Sequence, residues 1–165
     1  MGDFARWSNT VQIKIFDEKW DRQPATGGVY LIKTLRPIQR IGGKDRAGIL
    51  YIGRAVLLRR RVWGFLYAYH TASAFLWTHL EIARVVFDNE RIRTVMDIEN
   101  ALWRLKVRYS TPIHKSRLVR AERALMFAYF SRFGEAPPLN LSINQRWLAK
   151  PSQSDLRWAE VGIEQ

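Results

Sequence analysis

The chain has 165 residues, 47% of them hydrophobic and 25% charged. That is enough for one domain able to withdraw roughly 68–70% of its unfolded surface from water, which excludes a disordered tail or a disulfide-stapled miniprotein. Lys and Arg number 27 against 15 Asp and Glu, a net charge of +12; such self-repulsion is best offset by a polyanion, nucleic acid ahead of an anionic membrane surface.

Residues 1–26 are polar except for Val11-Gln12-Ile13-Lys14-Ile15-Phe16, an alternation that reads equally as a strand or as a lid on the core. Two β-rich runs follow, at 28–33 and 48–53. The turn formers between them, from Arg36-Pro37 to Gly42-Gly43-Lys44-Asp45, predict an antiparallel hairpin with a long loop. Residues 55–69 read as a helix packed hard on the sheet, with Arg59-Arg60-Arg61 set among Val56, Leu57, Leu58, Val62, Trp63 and Phe65. A third strand is expected near 80–87. A second helix is expected from Thr94, where Thr94-Val95-Met96-Asp97 has capping-box spacing, to about Arg108.

The third predicted helix starts near Thr111 or Ser116 and runs to Phe133. Leu118, Ala121, Leu125, Ala128 and Tyr129 recur at helical spacing, and Gly134 is a fitting stop. The C-terminal stretch with Trp147 and Trp158 is expected to add a small helix or a strand. No repeat or linker divides the chain, so one domain over 1–165 is expected, its core about 27–140 with an extension at each end. The expected class is α/β (α+β): a small antiparallel sheet of about three strands flanked by helices.

Several chemistries drop out at once. The chain has no Cys, and His70, His79 and His114 are scattered, so zinc fingers, thiol nucleophiles and disulfides are excluded. Neither a signal-peptide core nor a run of about eighteen apolar residues is present, so a soluble, cytoplasmic protein without membrane association is expected. Of the basic residues, 20 are Arg and 7 are Lys; guanidinium forks grip phosphate oxygens in pairs, whereas ammonium groups act as point charges.

Between Asn100 and Gly134 the lone carboxylate is Glu122, among Arg104, Lys106, Arg108, Lys115, Arg117, Arg120, Arg123 and Arg132. That field is expected to lower its pKa. Its helical neighbours Leu118, Val119, Leu125 and Met126 are apolar, which turns it toward the interior without a charged partner on its own helix. It therefore needs either an Arg from another element or a hard cation such as Mg²⁺. Tyr30 and Tyr51 stand on the two strands, where a period of two allows both to face one side, as core residues or as site residues. One helical turn cannot aim Arg59, Arg60 and Arg61 at a single surface, so at least one is expected to face inward. The tryptophans Trp63, Trp77, Trp103, Trp147 and Trp158 are expected to pack rather than to stack on bases.

The string "GVY" at 28–30, "YIG" at 51–53 and "RAVLLRRRVWGF" after it resembles the GIY-YIG nuclease family from about Gly27 to Asn140. That family carries its catalytic arginine eight residues beyond the glycine of the second motif, which here is Arg61. Its glutamate lies on a later helix before a proline-containing segment ending in asparagine, the pattern of Glu122 and Asn140. Val29 replaces the usual isoleucine, the loop between the motifs is long, and Phe65 stands where many members have His or Tyr. If that polar role persists, Tyr69 or His70 would supply it from the helix end.

The resemblance implies a metal-dependent endonuclease acting on DNA, with RNA as a competing partner and no particular oligomeric state. Glu122 would hold a single Mg²⁺ or Mn²⁺, Arg61 would donate to the non-bridging phosphate oxygens, and Tyr51 would stabilise the same centre. Tyr30 would orient or deprotonate the attacking water, and Asn140 would shape the site through the backbone. Lys33, Arg36, Arg40, Lys44, Arg54, Arg59 and Arg60 would hold phosphates, making binding salt-sensitive. The alternative is a weakly active or non-catalytic nucleic-acid-binding module on the same scaffold.

Overall fold

The apolar run Val29-Tyr30-Leu31-Ile32 forms a strand buried on both faces, the pattern of a central strand rather than an edge. The computed structural model describes residues 4–12, 14, 19, 22–34, 36–62, 105–140 and 149–164. Its strands are β1 (Val11–Gln12), β2 (Gly28–Lys33), β3 (Ile38–Arg40), β4 (Gly43–Asp45), β5 (Ile49–Ala55) and β6 (Lys106–Ser110). Residues 58–62 are helical, and two further helices are α1 (Leu118–Phe133) and α2 (Gln153–Glu164). A four-stranded antiparallel sheet runs in the order β1-β6-β2-β5, with β3 and β4 as a separate hairpin. The mixed α and β architecture with a small antiparallel sheet is thus observed.

The predicted hairpin is the pair β2 and β5, and its long loop carries the β3–β4 hairpin. Asp45 closes that loop, accepting from the N–H groups of Gly48 and Ile49 at 3.0 and 2.8 Å and from the Tyr129 hydroxyl at 3.0 Å. The predicted second helix is corrected at its end: residues 106–108 belong to β6, which pairs with β2 over its whole length. Val107 and Tyr109 alternate with charged side chains, and pairing with a central strand outweighs a local helical preference. The strand expected near 80–87, the helix beyond residue 62, most of the second helix, and Phe65, Tyr69 and His70 lie outside the described residues, as do Trp63, Trp77, Trp103 and Trp147. Of the alternating piece at 11–16, Val11–Gln12 is strand.

Helix α1 follows a short 3₁₀ turn and ends as expected: Gly134 adopts φ 73° and donates its N–H to the Phe130 carbonyl, a left-handed cap that favours glycine. It packs Leu118, Ala121, Leu125, Met126 and Tyr129 against Val29, Leu31, Ile49 and Ile52 of the sheet, with Ala159 and Ile163 of α2 in the same core. The chain ends interlock beside it. Trp7 stacks on Trp158 with ring centroids 5.0 Å apart, each indole N–H donates to a carbonyl of the other segment, and Arg108 donates to the Val161 and Gly162 carbonyls. Trp158 therefore packs, as expected. No helix among the described residues is long and apolar enough to cross a membrane.

Candidate active site

Strand register brings the two motif tyrosines together. Tyr30 pairs directly with Gly53 across β2 and β5, and Tyr51, two residues before Gly53, shares that face. The rings lie 5.8 Å apart at 41°. A Cβ on Gly53 would come within 2.5 Å of the Tyr51 ring and 2.7 Å of the Tyr30 ring, so the glycine of the second motif is the seat on which both rings rest.

Tyr30 is fully buried. Arg61 and Tyr51 both approach its hydroxyl, which completes no hydrogen bond among the described residues. Burial, reinforced by Tyr51, pushes its pKa well above the tyrosine range, and Arg61 offsets this only in part. Of the two roles expected for Tyr30, orienting or deprotonating water, burial of the phenol favours the first, because it favours the protonated form. Tyr51 is half-buried.

Arg61 is the shared neighbour. Tyr30, ahead of Tyr51, pushes its pKa further up against the opposing effect of desolvation, and the same guanidinium acts on Glu122. Glu122 sits on α1 with a side chain 16% exposed, and its Oε2 accepts from Arg54 Nε at 2.7 Å. The partner from another element is therefore Arg54 of β5. Burial raises the pKa of Glu122 despite Arg54 and Arg61. This corrects the expected lowering, because desolvation of a carboxylate outweighs two partly solvated cations.

Asn140 acts through the backbone, as expected. Its Oδ1 accepts from the Ile52 N–H and its Nδ2 donates to the Ile52 carbonyl, both at 2.9 Å, while the Leu139 N–H donates to the Leu50 carbonyl at 2.9 Å. Among the described strands β5 lies at the edge of the sheet, and the Asn140 amide satisfies both backbone groups of Ile52 there.

Arg54, Arg60 and Arg61 line an open basin of about 460 Å³ together with Ala55, Val56 and Leu57. The first N–H groups of the adjoining helix are already used, Leu58 donating to the Thr26 carbonyl at 3.1 Å and Arg59 to the Pro24 carbonyl at 3.3 Å. The positive charge at this basin is therefore that of its guanidinium groups. Of the three consecutive arginines, Arg59 is half-buried and Arg60 and Arg61 are largely exposed, yet Arg61 turns its guanidinium toward the buried hydroxyl of Tyr30, the inward-facing member that was expected.

Two of the expected phosphate contacts are withdrawn. Lys33 is 4% exposed at the end of β2, and burial, with Arg108 adding repulsion, lowers its pKa to about 8. Arg40 pairs with Glu135 at 3.3 Å, donates to the Ala136 carbonyl and lies over the Tyr129 ring, so it ties the β3–β4 hairpin to the end of α1. Arg36 and Lys44 remain exposed on the loop.

Tyr109 was not anticipated. It pairs directly with Tyr30 from β6, on the same face, and burial raises its pKa. The Val107-Arg108-Tyr109 alternation is the signal that would have found it.

No group of three or more His, Cys, Asp or Glu side chains gathers among the described residues. A metal here would rest on Glu122, whose Oε1 makes no hydrogen bond among them. One hard carboxylate oxygen suits Mg²⁺ or Mn²⁺, ions that complete their shells with water and phosphate oxygens. Comparison with protein-family models, curated proteins and solved structures returns no match.

Proposed function

We propose that the protein is a metal-dependent endonuclease that hydrolyses DNA phosphodiester bonds at a single-metal site. The observation that carries this reading is the placement of the Tyr30–Tyr51 ring pair and of Glu122, held by Arg54, around Arg61, which lines an arginine-walled basin and acts electrostatically on all three. A bound divalent ion would supply charge neutralisation and activation of water. Arg61 and Arg60 would clamp the non-bridging oxygens of a phosphate in the basin, where preorganised donors matter most. The protonated Tyr30 would orient the water, Tyr51 would stabilise the same centre, and Asn140 would hold β5 in place. Arg36 and Lys44 would bind flanking phosphates.

A second reading, a binding module without cleavage, draws on the Arg54–Glu122 ion pair, since a carboxylate already neutralised by protein does not require a cation. Plasmid nicking with Mg²⁺ or Mn²⁺, with chelator, and with Glu122→Ala tests both. The nuclease reading expects metal-dependent nicks that the substitution abolishes. Cleavage surviving Glu122→Ala refutes the mechanism, and salt-sensitive binding without nicks under either metal selects the module.

A further inference from the structure

Two ion pairs involving α1 differ in construction. Arg120 grips Asp155 through two bonds, Nε to Oδ2 at 2.8 Å and Nη2 to Oδ1 at 3.0 Å, and that carboxylate is 3% exposed. The Arg120 side chain is itself 38% exposed, so the second bond and the buried carboxylate, rather than burial of the arginine, hold this pair closed. Arg54 holds Glu122 through Nε alone, its side chain is 45% exposed, and its terminal nitrogens make no bond among the described residues. With one bond instead of two and a carboxylate 16% rather than 3% exposed, this pair is the more weakly held of the two. The same Arg54 lines the basin with Arg60 and Arg61, so a phosphate entering there competes for its guanidinium with two oxygens against the one that Glu122 offers.

We infer that Arg54 is a phosphate-responsive latch on Glu122: it neutralises the carboxylate in the free protein, and a nucleic-acid phosphate in the basin draws it away and opens Glu122 to a divalent cation. This inference rests on the reading of Glu122 as a metal ligand. Drawing Arg54 off leaves a mostly buried carboxylate facing Arg61 as its remaining cation, a state that a divalent ion stabilises. By linkage, phosphate and cation then each tighten the binding of the other by the same factor. Arg54 is thereby a positioning residue that acts through Glu122.

The test measures Mn²⁺ binding to the full chain by paramagnetic resonance of the free ion, with and without a saturating short DNA duplex. The Glu122→Gln variant supplies the background from ions held by the duplex. Wild type alone is expected to bind weakly and to gain about tenfold with duplex, within the usual range of coupling between sites. Arg54→Gln alone is expected to reach about that tenfold tighter affinity and to gain little from duplex. Arg54→Lys, which keeps the charge but loses the Nε donor, should fall between the two, and it carries the same test if the glutamine variant does not fold. Arg54→Gln binding no tighter than wild type, while Glu122→Gln still removes the Mn²⁺ site, overturns the latch alone. Absence of any Glu122-dependent Mn²⁺ binding, with or without duplex, overturns the metal-ligand reading and the latch together.

Discussion

Lys33 places a cation where the fold has little to offer it. The side chain is 4% exposed, and Asp45, the nearby carboxylate that favours its charge, is already engaged by Gly48, Ile49 and Tyr129. Burial, helped by Arg108 and Lys106, lowers its pKa from the ordinary 10.5 to about 8. A difference of about 2.5 units at 1.36 kcal/mol per unit sets an upper bound on the order of 3 kcal/mol lost to the buried charge. Lys33→Met keeps the chain length and removes the charge, so it should stabilise the protein by about 2 kcal/mol at pH 7.

The pH dependence gives the stricter criterion. Between pH 8 and 10.5 the unfolded lysine keeps its proton while the folded one has lost it. The unfolded state then binds more protons, and wild-type stability rises with pH across that window. The advantage of Lys33→Met is full below pH 8 and fades toward pH 10.5. Urea unfolding of both proteins at pH 7 and pH 10 reads this as a midpoint gap of about 1 M that nearly closes. A variant less stable at pH 7, or a gap unchanged with pH, would refute the argument and mean that the ammonium is anchored by Asp45.

Gly53→Ala should destabilise by about 1–3 kcal/mol, because its methyl meets two rings of which Tyr30 has nowhere to move; urea unfolding that leaves the midpoint unchanged would show that the rings yield. Tyr30→Phe removes a buried hydroxyl that is unpaired among the described residues, so stability should hold or rise by about 1 kcal/mol while nicking falls by about 10²-fold. A loss of stability there would show that the hydroxyl is bonded after all. Asn140→Ala leaves both backbone groups of Ile52 without their partner. It should cost about 1–3 kcal/mol and speed hydrogen exchange at the Ile52 amide, and an unchanged exchange rate would contradict the tether.

What was legible in the sequence was local. β2, β5 and α1 announce themselves through β-rich apolar runs, helical spacing and Gly134, and the order of the motifs marked Tyr30, Tyr51, Arg61, Glu122 and Asn140. The hidden part is pairing at a distance. Glu122 meets Arg54 across 68 positions, and Arg40 is drawn inward by Glu135, 95 positions on, so charge alone misassigned Arg40 to the surface. Lys33 could have been read better. A period of two puts it on the face of Val29 and Leu31, the face that α1 covers. β6 was lost because its strand pattern is short and its stability comes from lying beside β2, a contact that no local window contains.

The competing view treats each site residue as framework: tyrosines as core, Glu122 as half of an internal ion pair, Asn140 as an edge brace. Each statement is true of the contacts, yet together they leave charge unbalanced. Arg54, Arg60 and Arg61 share one basin, and Glu122, the acid that pairs with Arg54, also has Arg61 acting on it. A framework that needed only to neutralise one buried carboxylate would close it in two bonds, as Asp155 is closed by Arg120. Among the described residues the guanidinium charge beside Glu122 exceeds what that carboxylate neutralises, in a chain already at +12, and an anion in the basin would lower the repulsion. Phosphate is the anion whose geometry the fork of an arginine matches, and that match is the reason for proposing a nucleic-acid backbone as the partner of this basin.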